Sequence, residues 1–408
     1  MKEPLVIIGN GMAAARLVEG IVALDPHRYT ITVIGDEPGL AYNRIMLSTL
    51  LAGSMDKEAL PLQPAAWWPG NGVKLISGAA VKSVDCEKRI VRLPGRRRLT
   101  YSKLVFATGS RALRLPIPGA DLPGVSVFRT LADTRQLISL AEAQAGVAVI
   151  GGGLLGIEAA YGLARRGARV TLVHLMDRLM ERQLDVTAAA MVKTSLERQG
   201  IEVILEAQSQ TILGDDKVQG LRLADGRAIE ADAVVMAAGI RPNAELAKDA
   251  GLAVNRGIVA NEHLQTSAEG IYAIGECAEI AGQCCGLVEP AYAQAAVLAR
   301  HLCGDARARY VAALPATHLK VSGLPVFSAG DFLGGEGTRQ ILLNDPGAGL
   351  YRKFIVSGGS IAGAVLVGDT GDAAWYLKLM RERTPIAPFR SGLAFGETFC
   401  SAPSDSAA

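Results

Sequence analysis

Short apolar runs that lead directly into glycine-rich turns are the most regular pattern along the chain. Residues 5–8 and 147–150 are two such runs, and their length predicts buried strands. Each turn is followed by apolar residues at helical spacing: Leu17, Val18, Ile21 and Val22 after the first, Ile157, Tyr161 and Leu163 after the second. The turns themselves read Gly9-Asn-Gly11-Met12-Ala13-Ala14 and Gly151-Gly-Gly153-Leu154-Leu155-Gly156. The pattern predicts one strand–turn–helix unit that occurs twice.

The spacing of the glycines in both turns is typical of a dinucleotide-binding loop. The first glycine allows the tight turn, the second lets the backbone approach a pyrophosphate, and the third lets helix and strand pack closely. Gly156 keeps the third position in the second copy, whereas Ala14 replaces it in the first. The free N–H groups at each helix start would then face phosphate. The alternative is a fold of the same kind whose loops bind nothing.

The second strand of each copy ends differently. Residues 29–34 lead to Asp36 and Glu37, where a carboxylate would accept the hydroxyls of a ribose. Residues 170–173 lead instead to His174, with Arg178 four positions later. Neither residue repels a 2′-phosphate, so the sequence predicts that dinucleotides with and without this phosphate are both used, with a preference within about tenfold. The alternative is that His174 is an ordinary strand-end residue.

Three later segments repeat the strand-then-glycine pattern. The first is residues 103–111, which contain Ala107-Thr108-Gly109 and Arg111, and the second is residues 233–242, which contain Ala238-Gly239. The third, residues 270–278, contains Gly275-Glu276. After it, Leu287-Val288 and Pro290 predict the start of a further helix, because proline suits a first helical turn.

Composition excludes several classes of protein. The chain has 408 residues, of which half are hydrophobic and 20% are charged, so it is not a disordered or collagen-like chain. With 42 Lys and Arg against 40 Asp and Glu, the net charge of +2 predicts no nucleic-acid or anionic-membrane partner. No apolar stretch reaches the ~18 residues of a membrane span, and no signal-peptide core is visible. We therefore expect a soluble, cytoplasmic protein.

The cysteines do not form a recognisable ligand set. There are six, and we expect most of them to be buried small apolar residues. Cys277, Cys284 and Cys285 could be proposed as metal or cluster ligands, but zinc sites usually show pairs two to four residues apart. The sequence therefore predicts no metal site.

In this order, the segments of residues 4–305 resemble the flavoproteins with two dinucleotide-binding domains, which include glutathione reductase and rubredoxin reductase. The resemblance implies an α/β fold with two Rossmann-like, three-layer domains and a C-terminal α+β domain. It implies FAD on the first unit and NADH or NADPH, as substrate, on the second. The expected boundaries are 1–110 with 242–305 for FAD, 111–241 for NAD(P)H, 306–385 for an interface-like domain covering the flavin, and 386–408 for a tail.

A closer resemblance is carried by residues 38–48 and 174–185, the latter reading His-Leu-Met-Asp-Arg-Leu-Met-Glu-Arg-Gln-Leu-Asp. These stretches resemble the flavin half of assimilatory nitrite reductase large subunits and the flavin subunits of assimilatory nitrate reductases. The likeness implies an NAD(P)H:acceptor oxidoreductase that passes electrons to a nitrate or nitrite reductase catalytic protein, or to a small iron–sulfur or rubredoxin-type acceptor. The alternatives are a rubredoxin or ferredoxin reductase and, from another class, a non-catalytic redox sensor of the apoptosis-inducing-factor type. The oligomeric state stays open.

The resemblance also implies the residues at each site. The expected FAD contacts are Gly9, Gly11, Met12, Ala13, Ala14, Asp36, Glu37, Arg44, Ser48, Val81, Ala107, Thr108, Gly109, Arg111, Gly275, Glu276, Leu287 and Val288. The expected NAD(P)H contacts are Gly151, Gly153, Leu154, Leu155, Gly156, Glu158, His174, Arg178, Ala238 and Gly239. No acid or base is required for hydride transfer. Glu158 and Arg44 are expected near the flavin and the nicotinamide.

The departures from these families are informative. Residues 41–55 contain no cysteine, so the thiol chemistry of disulfide reductases and peroxidases is not expected. Thr49 stands where many relatives have a lysine that pairs with the glutamate equivalent to Glu158. Either Glu158 has another partner, of which Arg44 is the nearest candidate by analogy, or it stays solvated until nicotinamide binds. The chain shows neither a [2Fe–2S] segment nor the cysteine quartets of a sirohaem domain.

Residues 306–408 form a third region. Gly358-Gly359 within an apolar stretch predicts a hairpin, and residues 375–383 predict a short amphipathic helix. Residues 334–337 predict a hairpin loop, and Arg96, Arg97 and Arg98 a solvated turn, with acceptor docking as the alternative for those arginines. Residues 401–408 are expected to be a frayed tail.

From the sequence we expect the isolated chain to reduce artificial dyes with NAD(P)H but not to reduce nitrite or nitrate, because it lacks ligand sets for sirohaem and iron–sulfur clusters. Ferricyanide reduction, measured beside ammonium and nitrite production, checks this. Formation of ammonium from nitrite, or of nitrite from nitrate, by the isolated chain would contradict it.

Overall fold

The structure is a computed structural model that describes residues 2–321 and 323–400, so the expected tail at 401–408 lies outside the described residues. The chain forms two compact units. The first comprises Met1–Leu50, Met55–Leu113 and Ile240–Ala312, and the second comprises Leu51–Ser54, Arg114–Gly239 and Ala313–Ala408. The three-domain boundaries stay a prediction.

The strands of the described residues are short and mostly apolar. In chain order they are β1 (Glu3–Ile8), β2 (Tyr29–Ile34), β3 (Lys74–Ile76), β4 (Ser83–Asp85), β5 (Ile90–Arg92), β6 (Arg98–Thr100), β7 (Lys103–Phe106), β8 (Ser110–Ala112), β9 (Val125–Val127), β10 (Gly146–Ile150), β11 (Arg169–Val173), β12 (Glu202–Ile204), β13 (Ser209–Leu213), β14 (Gly220–Leu223), β15 (Ala228–Glu230), β16 (Ala233–Met236), β17 (Ile240–Pro242), β18 (Ile258–Ala260), β19 (Ile271–Ala273), β20 (Ala278–Ile280), β21 (Ala316–Val321), β22 (Leu324–Gly330), β23 (Arg339–Asp345), β24 (Leu350–Ser357) and β25 (Ser360–Val367).

The helices separate these strands. They are α1 (Met12–Leu24), α2 (Leu47–Leu51), α3 (Trp67–Gly70), α4 (Leu131–Glu142), α5 (Leu154–Arg165), α6 (Val186–Arg198), α7 (Glu245–Asp249), α8 (Val288–Leu302), α9 (Ala373–Arg381) and α10 (Glu397–Cys400). Short 3₁₀ turns occupy Arg44–Met46, Lys57–Ala59, Gly275–Cys277, Ala387–Phe389 and Leu393–Phe395. Within the described ranges, no helix is both long and apolar enough to cross a bilayer.

The first unit is built on a parallel sheet with the strand order β19-β7-β1-β2-β3. Strand β1 lies in the middle and is buried on both faces. Leu5 and Ile7 pack with α1 and α8, whereas Val6 and Ile8 pack with the small antiparallel sheet β4-β5-β6. Alternate residues of one strand therefore reach two cores, which is the three-layer arrangement.

The second unit contains a matching parallel sheet, with the order β12-β11-β10-β16-β9. Ala148 and Ile150 of β10 share a core with Ile212 and Leu221 of the antiparallel sheet β13-β14-β15. Helix α5 packs against β10 and β11. The two parallel sheets confirm the predicted α/β fold with two Rossmann-like parts.

The same unit contains an antiparallel sheet, β21-β22-β25-β24-β23, whose core includes Phe327, Phe354 and Tyr376 of α9. Gly358 and Gly359 have φ angles of +57° and +81°, so two left-handed residues join β24 to β25 as a two-residue hairpin turn requires. The predicted hairpin is confirmed. Helix α9 begins two residues before the predicted start and ends earlier, because Arg383 has a φ of +50° and cannot continue it.

The two predicted loops are also present. Residues 334–337 join β22 to β23, with left-handed φ angles at Gly334 and Gly337. The exposed turn between β5 and β6 carries left-handed residues at Gly95 and Arg96. The structure therefore places Arg96 and Arg97 in a solvated turn, as predicted, whereas Arg98 is the exposed first residue of β6.

Asp185, at the start of α6, joins the antiparallel sheet β21-β22-β25-β24-β23 to the part of the second unit that contains the parallel sheet. Its Oδ1 accepts the N–H of Ala188 at 3.0 Å and so caps α6, while its Oδ2 accepts the Tyr351 hydroxyl at 2.7 Å and lies 3.0 Å from the Lys353 ammonium. Burial raises the pKa of Asp185, but the hydrogen bonds from Ala188, Tyr351 and Lys353 outweigh it and leave that pKa below 3.8. The ionised carboxylate is therefore part of the folded state.

We expect Asp185→Ala to lower the free energy of unfolding by about 3 kcal/mol at pH 7, since it leaves the buried Lys353 ammonium unpaired. Because the folded pKa of Asp185 is depressed, this stabilisation is present above the unfolded pKa near 3.8 and is lost as the pH falls through the folded pKa. Urea unfolding of the wild-type and Asp185→Ala proteins at pH 7 and at pH 3 measures how the difference in their free energies of unfolding changes with pH.

The matched control is Asp225→Ala, which removes an ion pair between half-exposed side chains and should lower the free energy of unfolding far less than Asp185→Ala does. If the two variants lost equal free energy of unfolding at pH 7, Asp185 would contribute no more than a surface charge does.

Candidate functional site

The turn after β1 is shaped by a close approach of two backbone segments. A Cβ on Gly9 would lie 2.0 Å from the carbonyl oxygen of Ala107, and the φ of Gly9 is +115°. The N–H of Gly9 donates to Ile34 at 2.7 Å and that of Ala107 donates to Ile8 at 2.8 Å, so the turn is held by both neighbouring strands. Around Gly11, in contrast, the space that a Cβ would enter is open to at least 4 Å.

The turn after β10 has the same geometry. A Cβ on Gly151 would lie 2.4 Å from the carbonyl oxygen of Ala237, and the φ is +118°. The N–H of Gly151 donates to Val173 at 2.8 Å, the counterpart of the bond from Gly9 to Ile34. Gly153 faces open space as Gly11 does. The predicted repeat is therefore present in the hydrogen bonds as well as in the sequence.

The third glycine position differs between the two copies. A Cβ on Gly156 would lie 1.8 Å from the carbonyl oxygen of Gly151, so this position requires glycine. Ala14 in the first copy is fully buried and its methyl is accommodated in the core between α1 and the sheet.

The helices that follow the two turns begin without a side-chain cap. Gly11 precedes α1 and Gly153 precedes α5, and neither offers a side-chain acceptor to the first N–H groups. Elsewhere, α4 begins with a capping box of Thr130 and Asp133, and α6 is capped by Asp185. The first amides of α1 and α5 thus receive no side-chain cap and are left for a ligand, and the helix dipole favours an anion there.

Glu37, beyond the end of β2, is already oriented by two partners. Its Oε2 accepts the hydroxyl of Tyr42 at 2.7 Å, and its Oε1 pairs with the guanidinium of Arg44. That guanidinium also lies 5.0 Å from the centre of the Tyr42 ring. Burial lowers the pKa of Arg44, but Tyr42 and Glu37 raise it more, so the net shift is upward. Asp36 accepts the N–H of Glu37 at 2.9 Å on the exposed side.

Thr108 and Arg111 are held by Asn243, a residue from far along the chain. The hydroxyl of Thr108 donates to the Asn243 carbonyl at 2.6 Å, and the Asn243 amide donates back to the Thr108 carbonyl at 2.9 Å. Arg111 donates to the Asn243 side chain at 3.1 Å and to Glu245 at 2.9 Å. The hydrogen bond from Arg111 lowers the pKa of Glu245 to about 2. The pairing of β8 with β17 sets this cluster.

Gly275 and Glu276 lie where β19 ends, beside the start of α1. The N–H of Gly275 donates to the buried Gln294 side chain at 2.7 Å, and a Cβ on Gly275 would lie 3.1 Å from that of Ala13. Glu276 accepts the Ser110 hydroxyl at 2.8 Å. Gly275 therefore lies against the start of α1, beside the first glycine turn, and the predicted contacts of Gly275 and Glu276 with FAD stay a prediction.

His174 lies directly after β11 and is buried. Its Nδ1 accepts the N–H of Gly152 at 3.0 Å, and its Nε2 lies 3.1 Å from Oε2 of Glu181. The nearby Arg178 pairs with both carboxylate oxygens of Asp177 and donates through Nε to the Leu184 carbonyl. Both ring nitrogens of His174 are thus engaged within the protein, and its predicted contact with the ribose stays a prediction.

The cysteines differ in part from expectation. All six are free, but only Cys277 is buried, and the other five are half-buried. The expectation that most are buried was wrong: Cys86 and Cys303 pack only against the edges of cores, and Cys284, Cys285 and Cys400 are also partly exposed. Burial raises the pKa of the Cys277 thiol, so it stays protonated. Among the described residues, no group of three or more possible ligands is placed to hold a metal.

The predicted site residues separate between the two units. All the predicted FAD contacts lie in the first unit. They lie on the glycine turn after β1, on α1 and β8, at the start of α8, on the segments after β2, β7 and β19, in the stretch 44–48, and at Val81 before β4. All the predicted NAD(P)H contacts lie in the second unit, on the glycine turn, α5, and the segments after β11 and β16. The sequence reasoning did not assign Tyr42, Asn243, Gln294 and Glu181, whose roles depend on contacts that no local pattern indicates.

FAD and NAD(P)H fit these residues. In each turn, the first glycine cannot be replaced by a residue with a side chain, and the second glycine faces open space. The open space leaves room for a pyrophosphate against the backbone. In the first turn, Oδ1 of Asn10 is buried without a hydrogen-bond partner in the described protein, as expected of an atom that a ligand or its water would satisfy.

Comparison with known proteins agrees with this geometry. The sequence pattern of the pyridine nucleotide-disulphide oxidoreductase family matches residues 3–298, and that of the rubredoxin NAD+ reductase C-terminal domain matches residues 315–384. The chain is 45% identical over 386 residues to nitrite reductase [NAD(P)H] of Bacillus subtilis, covering 95% of this chain and 48% of that protein. It is 41% identical over 397 residues to the assimilatory nitrate reductase electron transfer subunit of the same organism, covering 97% and 52%.

The chain thus spans about half the length of the curated relatives it matches. Among solved structures, the ferredoxin reductase for the CYP199A2 system from Rhodopseudomonas palustris superposes with a TM-score of 0.88, covering 98% of both chains at 27% identity. Oxidoreductase chemistry with FAD and NAD(P)H follows from the family match together with the two loops. The chain belongs to the pyridine nucleotide-disulphide oxidoreductase family.

Proposed function

We propose that the chain takes electrons from NAD(P)H onto FAD and delivers them to a metal-containing redox partner of nitrate or nitrite assimilation. The observation that carries the proposal is the pair of glycine turns, which lie in two separate units. Each turn has one glycine at which a Cβ would collide with a backbone carbonyl and a second glycine with no atom near its Cβ position. The likeness to the nitrite reductase and to the nitrate reductase electron transfer subunit supports the choice of partner.

The chain's own contribution is to bind and orient two nucleotides. The uncapped starts of α1 and α5 would receive the pyrophosphates, and the carboxylate of Glu37, held by Tyr42 and Arg44, would receive the ribose of FAD. When bound, FAD would accept two electrons from the nicotinamide and release them to an acceptor. The start of α8, which also lacks a side-chain cap, would stabilise negative charge placed before it.

Direct electron delivery, without a thiol relay, suits the residues present. Residues 41–55 contain no cysteine, and the Cys277 thiol is buried between carbonyl oxygens with a raised pKa. A protonated thiol is a poor nucleophile, so Cys277 is suited to packing. Free cysteines are typical of a reducing compartment, and we therefore infer a cytoplasmic location.

A rubredoxin or ferredoxin reductase is the second candidate. It is favoured by the C-terminal match at residues 315–384 and by the likeness to a ferredoxin reductase. Both candidates share the same donor side and differ only in the acceptor, so the acceptor has to be tested directly.

Gly11→Val should abolish FAD binding while leaving the protein folded. The φ of −102° and ψ of −170° at Gly11 suit any L-residue, and the added side chain enters only the open space that a pyrophosphate would use. Gly153→Val, with a φ of −80° and the same open surroundings, should keep FAD but lose reduction by NAD(P)H. Flavin absorbance, anaerobic bleaching and circular dichroism measure these outcomes.

Gly70→Val, on an exposed turn of α3 with open surroundings, is the matched control and should behave as wild type. If Gly11→Val protein retains stoichiometric FAD, or if Gly153→Val protein is still bleached by NADH at the wild-type rate, the corresponding turn does not bind a nucleotide.

The acceptor is tested by turnover. The FAD-loaded protein should reduce ferricyanide with NAD(P)H in many cycles, because an electron-transfer enzyme releases its electrons readily. Delivery to the matched nitrate or nitrite reductase catalytic protein should exceed delivery to rubredoxin or ferredoxin. A long-lived charge-transfer complex with little turnover would indicate a redox sensor instead, and faster delivery to rubredoxin or ferredoxin would favour the second candidate.

A further inference from the structure

We propose that Glu181 is the residue that reads the adenosine ribose of the nicotinamide dinucleotide and disfavours NADPH, with His174 as its positioning residue. This inference rests on the proposed binding of a nicotinamide dinucleotide at the second glycine turn. It assigns the selectivity to a carboxylate seven residues after His174 and eight beyond the end of β11, a place where no sequence pattern puts it.

The segment that carries Glu181 is attached directly to the glycine turn. The N–H of Met180, the preceding residue, donates to the carbonyl of Gly152 at 2.9 Å. The N–H of Gly152 donates to Nδ1 of His174 at 3.0 Å. The N–H and the carbonyl of Gly152, the middle residue of the turn, therefore attach both the end of β11 and the segment 176–185 to the turn.

These bonds also fix the proton on the His174 ring. A backbone N–H can only donate, so Nδ1 must accept and carries no proton. The ring proton therefore lies on Nε2, which donates to Oε2 of Glu181 at 3.1 Å. The histidine is 8% exposed and packs against the turn, since a Cβ on Gly152 would lie 2.6 Å from its ring. The buried ring thus aims a partly exposed carboxylate from beside the turn.

A carboxylate at this place matches what an NAD site needs. In dinucleotide folds an acid beyond the second strand accepts the ribose hydroxyls and repels a 2′-phosphate. At the end of β11 that position holds His174, whose two ring nitrogens are both engaged. Glu181 is 23% exposed and has acceptor capacity beyond its one bond from His174, so it can receive a ribose hydroxyl.

The neighbouring cations are poorly placed to hold a 2′-phosphate. Arg178 pairs with both oxygens of Asp177 at 2.9 and 3.0 Å and donates to the Leu184 carbonyl, so its charge is matched within the segment. Arg182 has its Nε 3.8 Å from Oε1 of Glu181 and is 86% exposed, where solvent screens it. The carboxylate of Glu181, oriented from His174, therefore decides the selectivity, and we expect a preference for NADH in place of the dual use predicted from sequence.

Binding of two half-ligands tests this without catalysis. We expect FAD-loaded wild-type protein to bind 5′-AMP at least tenfold more tightly than 2′,5′-ADP in isothermal titration calorimetry. Glu181→Gln keeps the shape of the side chain and removes its charge. It should therefore strengthen the binding of 2′,5′-ADP, weaken the binding of 5′-AMP, and bring the ratio of the two dissociation constants close to one. The ratio of kcat/KM for NADH to that for NADPH should fall by a similar factor.

Two further variants separate the roles. Glu197→Gln, which removes an exposed carboxylate on α6 in the same unit, is the matched control and should leave both ratios unchanged. His174→Ala should lower the ratio for the half-ligands less than Glu181→Gln does, because the carboxylate loses its orientation but keeps its charge. Flavin content and circular dichroism verify that each variant is folded.

The proposal is overturned if wild-type protein binds 2′,5′-ADP as tightly as 5′-AMP, or if Glu181→Gln leaves the ratio unchanged. Those outcomes leave the proposed function intact, since both half-ligands would still bind and compete with NADH. If neither half-ligand binds and NADH does not bleach the flavin, the proposed function itself fails.

Discussion

The close approach of a glycine to the carbonyl oxygen of the neighbouring strand is the constraint on which both sites depend. At Gly9 the oxygen of Ala107 occupies the place of a side chain, and at Gly151 the oxygen of Ala237 does so. Because the turn can then stay tight, α1 and α5 begin directly beyond the ends of β1 and β10. Their first amides are thereby presented at the carboxyl edge of a parallel sheet, where ligands of such sheets bind.

The surroundings of the two turns then diverge. In the first unit, Glu37 is held by Tyr42 and Arg44 on the strand-end side, and Gly275 and Glu276 approach from the other side. In the second unit, His174 connects the turn to Glu181 instead. One local motif therefore occurs in two different surroundings, and the proposed assignment of one nucleotide to each copy depends on the segments packed around it.

Charged side chains are used in two ways in the second unit. Asp185 is paired with Lys353 and caps α6, so it serves the attachment of the antiparallel sheet. Glu181, four residues earlier, is oriented by a hydrogen bond from the neutral His174 ring, lies 3.8 Å from the exposed Arg182 guanidinium, and stays partly exposed. A carboxylate matched by a buried cation stabilises the fold, whereas one oriented by a neutral donor keeps its charge available to a ligand.

The sequence by itself determined the parts that depend on local rules. The apolar strands, the two glycine turns and the Gly358-Gly359 hairpin were predictable, because periodicity and positive φ angles are imposed within a few residues. Tertiary structure alone decided the rest. It brings Asn243 to Thr108 across 135 positions, Gln294 to Gly275, and Lys353 to Asp185 across 168. Glu181 is only seven residues from His174, yet its place depends on the bond from Met180 to Gly152, which forms only when the segment folds back onto the turn. Such contacts are set by how strands and helices pack, and no spacing in the sequence encodes them.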